Sequence, residues 1–413
     1  MCIRDRTEKL DNSNSTDPSK TAEFFNVGAP LHALRPGYVR RSADDLLFDT
    51  LVAGNHAHVI SPDRTGKTSL IASTSARLQN KGFRVVVLDL KQIGERDGDS
   101  DAGRWYYSIA YRLCRQLRLK IDLLVWWQDH SILSNRQRLV EFYVQIILKN
   151  VHERIVGFID EIQGVSELSV VEHLLASIRA ADNARTTEPE FNRLGFAMAG
   201  ECDAQSLVRD LNLSPFSISI EVRLSDFSRD DLAIFAAELN LPQAAAERAL
   251  DRVYYWARGQ PYLSQKLARA IAREDIEGDL VETIDRLAIQ QLGGRAAISS
   301  EPHISHLHQA VINDRKNYES MLTTYGQICK GIDIDYDPGS PGHRQLLALG
   351  LVVVRENGRF RIRNRLYESV FSVRWVNENL PMHWRGPAIA AAVVIALIAI
   401  PFVYTAICSG ATP

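Results

Sequence analysis

The chain has 413 residues and a formal net charge of −2, from 48 Lys and Arg against 50 Asp and Glu. This length predicts about two to three domains, and the near-neutral balance argues against a chain that binds nucleic acid through an overall basic surface. The five cysteines lie far apart without paired spacing. They therefore predict neither a zinc site nor a disulfide framework, and a reducing compartment is expected.

The N-terminal part of the chain predicts a polar leader followed by regular structure. Residues 1–23 are rich in Ser, Asn, Asp and Lys, a composition typical of disorder. Residues 42–51 have a Ser start and helical apolar spacing, which predicts a helix. Residues 56–60 predict a short buried strand, and residues 69–78 predict the helix that follows it.

The loop between this strand and this helix matches the phosphate-binding pattern G-x-x-x-x-G-K-[S/T], except that Ser61 stands at the first glycine position. Such a loop turns backbone N–H groups and a helix N-terminus toward phosphate groups. Lys67 is expected to reach the β- and γ-phosphates of ATP, and Thr68 to bind Mg²⁺. Serine lacks the freedom of glycine at positive φ. This departure from the pattern therefore leaves open how tightly the loop binds nucleotide and whether the protein hydrolyses it. The residues predicted to hold the nucleotide here are Ser61, Pro62, Asp63, Arg64, Thr65, Gly66, Lys67, Thr68 and Ser69.

A second motif comes about ninety residues later, where an apolar strand over residues 154–161 ends in two acids, Asp160 and Glu161. Asp160 is expected to hold the Mg²⁺ shell together with Thr68. Glu161 is then placed to polarise the attacking water. The strand–loop–helix context and this acidic strand end together predict an ATPase with Glu161 and Lys67 as its catalytic residues.

The remaining pattern up to residue 224 alternates strands and helices. Apolar runs predict further strands over residues 84–90, 193–200 and 218–224. Helical stretches separate them at residues 104–119, 135–149 and 170–181. This alternation predicts an α/β fold over 24–224, a five-stranded parallel sheet with helices on both faces.

The C-terminal half predicts two smaller units. Residues 225–294 are helical only and have the size of a lid that closes over a nucleotide. Residues 295–380 combine helices with two apolar runs around Asn357-Gly358, a hairpin signal, which predicts a winged-helix domain. Arginines at alternate positions are expected to share one face of the wing; they are Arg359, Arg361, Arg363 and Arg365. Three close histidines without acids or cysteines are expected to be solvated; they are His303, His306 and His308.

An uncharged run over residues 387–408 is long enough to span a bilayer as a helix. Basic residues precede the run and none follows it, which predicts that everything before it lies in the cytoplasm. The sequence therefore predicts a single-pass inner-membrane protein with its ATPase core in the bacterial cytoplasm.

Short motifs outside the phosphate loop carry a wider resemblance. They are Tyr38-Val-Arg-Arg41, Leu88-Asp-Leu90, Phe158-Ile-Asp-Glu-Ile162, Ser214-Pro-Phe216, Gly259-Gln-Pro261 and Asn364-Arg-Leu-Tyr367. With the phosphate loop, they make residues 24–380 resemble the AAA-like domain family of bacterial P-loop proteins. More broadly, the chain is similar to the STAND class of signalling ATPases.

This resemblance implies a strand order of 5-1-4-3-2, a helical lid, a winged helix and a nucleotide-controlled switch. It implies that Tyr38 and Arg41 line the adenine pocket, and that Gln260 and Pro261 contact the base and sugar. Many relatives place an arginine after the fourth strand as a γ-phosphate sensor, and this chain has none there. The nearby arginines that could replace it are Arg179, Arg185 and Arg209.

Three functions stay open from the sequence. The first is a membrane-tethered ATP/ADP switch that hydrolyses slowly and acts on protein partners or through self-association. The second is a nucleotide-binding scaffold without significant hydrolysis, favoured by Ser61 and the missing arginine. The third is a winged-helix DNA-binding regulator. Its recognition helix, at residues 343–350, offers few base-reading side chains, so nucleic acid is not an expected partner.

Overall fold

The computed structural model describes residues 24, 25, 27, 36–93, 102–164, 168–201 and 213–381. The whole of the predicted leader, residues 1–23, and the whole 387–408 run lie outside these residues. Within these described residues, every helix is too short or too polar to cross a bilayer. The predicted membrane-anchored localisation is therefore wrong.

A parallel sheet of five strands forms the N-terminal half. Its strands are β1 His56–Ile60, β2 Arg84–Asp89, β3 Ile155–Asp160, β4 Leu194–Gly200 and β5 Ser219–Glu221. Their order is β2-β3-β4-β1-β5, which is the implied order read from the other edge, and each neighbouring pair is parallel. The predicted α/β fold is therefore confirmed, and all carboxyl ends of the strands meet at one edge.

Helices cover both faces of this sheet. They are α1 Ser42–Val52, α2 Lys67–Asn80, α3 Ala102–Leu117, α4 Leu123–Asp129, α5 Asn135–Phe142 with a π-helical continuation Tyr143–Leu148, and α6 Leu168–Ala184. Alternate residues of β3 feed the two cores: Val156 and Phe158 pack on the α1–α2 side, and Ile155 and Ile159 on the α3–α6 side. Burial on both faces explains why this strand reads as a continuous apolar run.

Short 3₁₀ segments join several of these elements. They are Leu90–Ile93, Pro189–Arg193, Pro215–Ile218 and Asp230–Glu238. The last of them begins the C-terminal half and connects the sheet to the helices that follow.

The C-terminal half is helical with one antiparallel hairpin. Its elements are α7 Gln243–Ala257, α8 Pro261–Ala272, α9 Leu280–Leu292, α10 Ala297–Ser300, α11 Pro302–Asn313, α12 Tyr318–Cys329, α13 Pro341–Ala348, β6 Val352–Val354, β7 Phe360–Ile362, α14 Arg365–Val370 and α15 Val373–Asn379. Leu250, Leu287, Leu322 and Phe371 belong to one buried cluster. The predicted lid and the predicted winged-helix unit thus share a core, which we call the helical unit (residues 228–380).

The predicted arginine face of the hairpin is wrong. β7 has only three residues, because the Asn364 side chain accepts a hydrogen bond from a backbone N–H and caps α14. Arg359 instead pairs with Asp333, with 2.7 Å between Nη1 and Oδ2. Arg363 is buried against Asp226, with 2.9 Å between Nε and Oδ2. These arginines therefore have separate local partners and do not form one exposed basic stripe.

His56 of β1 is buried at the edge of the sheet opposite the phosphate loop. Its Nδ1 accepts a hydrogen bond from the Phe196 N–H at 3.0 Å, and its Nε2 lies 3.3 Å from Asp182 Oδ1. Burial lowers the pKa of His56 to about 4, and the nearby Arg185 adds to the lowering. The folded protein therefore holds this imidazole neutral at pH values where a free histidine is charged.

We predict that this histidine makes stability depend on pH. Its pKa is about 6.5 in an unfolded chain, so between pH 6.5 and 4 the unfolded state binds a proton that the folded state does not. The stabilisation is complete above pH 6.5 and is lost as the pH falls. His56→Asn, whose amide oxygen can accept the same backbone N–H, should remove this contribution. The free energy of unfolding is measured in urea at pH 7.5 and at pH 5.0. Between these pH values it should fall by about 2 kcal/mol more in the native protein than in the variant. Equal decreases in the two proteins would contradict the prediction.

Candidate nucleotide-binding site

The phosphate loop leaves β1 at the carboxyl edge of the sheet and enters α2. Positive φ values occur in it at Arg64 (59°) and Gly66 (97°) but not at Ser61. The Ser61 N–H donates to the Gly200 carbonyl at 3.0 Å and so extends the pairing of β1 with β4. Serine is therefore unstrained at the position where the pattern has glycine. Gly66 is required, since its φ disfavours side chains and a Cβ there would lie 3.0 Å from the Arg41 guanidinium.

Lys67 points its ammonium group into the loop. Its Nζ donates to the carbonyls of Ser61 and Pro62, both at 2.9 Å, and lies 3.5 Å from Glu201 Oε1. The residue is 5% exposed. A buried ammonium at a helix N-terminus, surrounded by loop backbone, is the arrangement that binds the phosphates of a nucleotide.

Thr68 and Asp160 meet as the sequence predicts. The Thr68 hydroxyl donates to Asp160 Oδ2 at 2.9 Å. Burial raises the pKa of Asp160, and the negative charge of Glu161 adds to the effect. Hydroxyl and carboxylate oxygens are the hard ligands that Mg²⁺ prefers, with phosphate and water completing its shell. The residues present therefore fit a Mg²⁺ ion held by Thr68 and Asp160 together with a nucleotide.

Glu161, the predicted general base, is engaged by two neighbours. Its Oε2 lies 2.6 Å from Lys91 Nζ and accepts a hydrogen bond from Gln163 Nε2 at 2.7 Å. Its own backbone has a positive φ of 58°, a conformation uncommon for residues other than glycine. Lys91 was not predicted as a site residue. Its place just after β2, at the same sheet edge as Glu161, is the signal that indicates it.

The backbone of the loop is held by side chains from both halves of the molecule. The Arg41 guanidinium donates to the Thr65 carbonyl at 2.9 Å and to the Ser225 carbonyl at 3.0 Å. Gln260, which is fully buried, donates from Nε2 to the Arg64 carbonyl at 3.1 Å. The side chains of Arg41 and Gln260 therefore bind the backbone of the loop in this structure. They do not point into the space next to the loop where a nucleotide would lie.

The helical unit also touches the tip of the loop. His303 of α11 places its Nδ1 3.5 Å from Asp63 Oδ2, and its Nε2 is hydrogen-bonded to the Tyr367 hydroxyl at 2.7 Å. His303 is 1% exposed, so the prediction of a solvated histidine is wrong for this residue. Burial would raise the pKa of Asp63, but His303, Arg64 and Lys67 together hold it well below its usual range.

A cavity of about 540 Å³ opens between the loop and the helical unit. The predicted residues that line it are Asp63, Arg64, Gly66, Lys67, Thr68, Ser69, Glu161 and Pro261. The other predicted residues lie outside its lining: Tyr38, Arg41, Ser61, Pro62, Thr65, Asp160 and Gln260. Tyr38 instead donates its hydroxyl hydrogen to Asp44. Lining residues that the sequence did not indicate include Lys91, Glu201, Tyr262, Gln265, His303 and His306.

None of the substitutes for the missing arginine sensor that the structure describes reaches this cavity. Arg185 donates to the Leu194 carbonyl, where β4 begins, at the far end of the sheet. Arg179 lies 3.4 Å from the Ser217 hydroxyl, away from the loop. Arg209 lies outside the described residues. The residue that follows β4 toward the cavity is Glu201, whose pKa burial raises.

The chain is similar to several known proteins in sequence or in structure. An uncharacterized WD repeat-containing protein of Synechocystis sp. is 30% identical over 368 residues, covering 86% of this chain and 30% of the relative. The chain thus spans less than a third of that relative's length. A Walker-type ATPase of Pyrococcus abyssi has a similar structure, with a TM-score of 0.54 and 15% identity over 84% of this chain and 99% of that one. The ORC2 protein of Aeropyrum pernix gives a TM-score of 0.45 and 15% identity over 87% of this chain and 97% of that one.

The similarity to the Walker-type ATPase shows the fold of a P-loop NTPase. A family model described as an AAA-like domain matches residues 29–373, most of the chain. This protein therefore belongs to the AAA-like domain family, whose phosphate loop indicates nucleotide binding.

Proposed function

We propose that the chain binds ATP with Mg²⁺ and works as a nucleotide-controlled switch that hydrolyses ATP slowly. Lys67 at the N-terminus of α2 supports phosphate binding, and the Thr68–Asp160 pair supports Mg²⁺ binding. The cavity beside them has the volume of a typical small-molecule site. The bound ion would polarise the phosphates, while Glu161 would orient and deprotonate the attacking water.

The observation that carries the switch is the contact of the phosphate loop with three segments of the helical unit. Gln260 of the segment before α8 holds the Arg64 carbonyl, and His303 of α11 faces Asp63. A Cβ on Gly350 would lie 2.7 Å from Pro62 Cβ, so a third part of the helical unit lies against the loop. If the loop is arranged differently in the ATP-bound and ADP-bound states, the difference would therefore act directly on three segments of the helical unit. ATP and ADP would then favour different arrangements of the two halves.

One observation favours the scaffold alternative. The Oε2 atom of Glu161 lies 2.6 Å from Lys91 Nζ and also accepts a hydrogen bond from Gln163, so these two neighbours occupy the oxygen that would take the proton from water. If this pair persists with ATP bound, the protein binds nucleotide without useful hydrolysis. The DNA-binding alternative gains no such observation, since Arg359 and Arg363 have local acidic partners. That nucleic acid is not a partner stays a prediction.

The partner of the switch is proposed to be another protein or protein module. The relative from Synechocystis is named for WD repeats, which build β-propellers. The proposal is that the nucleotide state of the AAA-like domain controls how such a module, or a second copy of the chain, is presented. Protein partners and self-association otherwise stay predictions.

The loop lysine provides the first test. Lys67→Ala should abolish binding of ATP with Mg²⁺ in calorimetry, because loop amides alone cannot neutralise the β- and γ-phosphates. Lys81→Ala is the matched control, since Lys81 is an exposed lysine just past the other end of α2. It should bind as the native protein does. An unchanged ATP affinity in Lys67→Ala would remove the site assignment.

The acidic strand end separates the switch from the scaffold. Glu161→Gln keeps the size of the side chain and should keep ATP affinity within about twofold, while lowering phosphate release by about 10²-fold or more. Release is measured under single-turnover conditions, with Lys67→Ala as the background. If the native protein releases no more phosphate than that background, the scaffold function replaces the switch.

A further inference from the structure

The carboxyl edge of the sheet carries a second lysine that no motif assigns. β2 and β3 pair in parallel with Asp89 beside Asp160, so the chain leaving β2 reaches the edge where Glu161 stands. Leu90 is fully buried and fixes the direction of the turn that follows. Lys91 then extends into the cavity with its side chain 55% exposed, where it is free to exchange one partner for another.

The side chain of Lys91 passes close to the backbone of Gly164, where the absence of a Cβ leaves space for it. A Cβ on Gly164 would lie 2.5 Å from Cγ of Lys91 and 3.5 Å from its Cε. The aliphatic part of Lys91 therefore lies across the turn that follows Glu161. This path brings its ammonium nitrogen to 2.6 Å from Glu161 Oε2.

The positively charged side chains that line the cavity come from different parts of the fold. Among its described lining residues, the side chains with a permanent positive charge are Arg64, Lys67 and Lys91. Arg64 lies over the Tyr262 ring of α8, 5.0 Å from its centroid, on the side of the helical unit. The chain after β4 supplies Glu201, an acid. Lys91 is thus the described cation that approaches the loop from the strand ends.

We propose that Lys91 binds the γ-phosphate of ATP and, in doing so, releases Glu161 to act as the base. This inference rests on the proposed function. A γ-phosphate offers more negative charge than one carboxylate and would draw the ammonium group away from Glu161. ADP lacks that group and leaves the Lys91–Glu161 pair closed. The pair therefore makes the base available only when ATP is bound.

Glu161 and Lys91 have separate roles in the hydrolysis of ATP. The oxygen of a water forms the new bond to the γ-phosphorus, and the bond from that phosphorus to the ADP oxygen breaks. Glu161 takes the proton from the water, and Lys91 keeps its own proton throughout. Gln163, which donates to Glu161 Oε2 at 2.7 Å, keeps the carboxylate in place after Lys91 leaves.

The test compares two nucleotides in the full chain. Affinities for Mg²⁺ with AMP-PNP and with ADP are measured by calorimetry for the native protein, Lys91→Met and Lys91→Arg. Methionine keeps the unbranched apolar chain and removes the charge. Loss of a charge-assisted hydrogen bond should reduce the preference for AMP-PNP over ADP by about tenfold or more, with ADP affinity within about twofold. Lys91→Arg should restore most of the preference, and Lys81→Met, remote from the cavity, should leave it unchanged.

Two outcomes separate this inference from the proposed function. If the native protein binds neither nucleotide, the proposed function fails. If it prefers AMP-PNP and Lys91→Met keeps the same preference, only the role of Lys91 fails. Single-turnover hydrolysis adds a second readout: Lys91→Met should hydrolyse ATP more slowly. Faster hydrolysis with unchanged preference would show that Lys91 only restrains Glu161, and would overturn the proposal.

Discussion

The site depends on Arg41, which links the phosphate loop to the segment that leaves the sheet. Arg41 is 8% exposed, and its guanidinium donates to the carbonyls of Thr65 and Ser225. A buried arginine without such acceptors would be strongly destabilising. The loop and the segment after β5 are therefore fixed to one charged group, and the position of Gly66 is restricted by the same side chain.

The segment at residues 225–227 is where the two halves of the molecule meet. Ser225 accepts from Arg41, and the next residue, Asp226, pairs with the buried Arg363 next to the hairpin. Phe227 donates its N–H to the Gly259 carbonyl at 2.8 Å. Gly259 has a φ of 77°, and a Cβ there would lie 1.8 Å from the Phe227 carbonyl oxygen. Only glycine fits this approach, so the turn before α8 is positioned by the same short segment that contacts the loop through Arg41.

The local parts of this structure could be predicted from sequence, and the parts made by distant contacts could not. β1 and its loop follow from the alternation of patterns, and the Thr68–Asp160 contact follows because parallel strands end at one edge. The effect of Ser61 could not be judged, since its φ depends on pairing with Gly200. Lys91 and His303 belong to no motif. They reach the cavity through the β2–β3 register and through the packing of α11, neither of which a single sequence reveals.

In the proposed switch, the nucleotide controls the helical unit through the phosphate loop. Hydrogen exchange of backbone amides tests it most directly, with Glu161→Gln loaded with ATP and Mg²⁺ compared with the same protein loaded with ADP. We expect amides in α8 and α11 to exchange at different rates in the two states, because these helices are next to loop residues Arg64 and Asp63. Differences confined to residues 61–69 and 160–164 would contradict it.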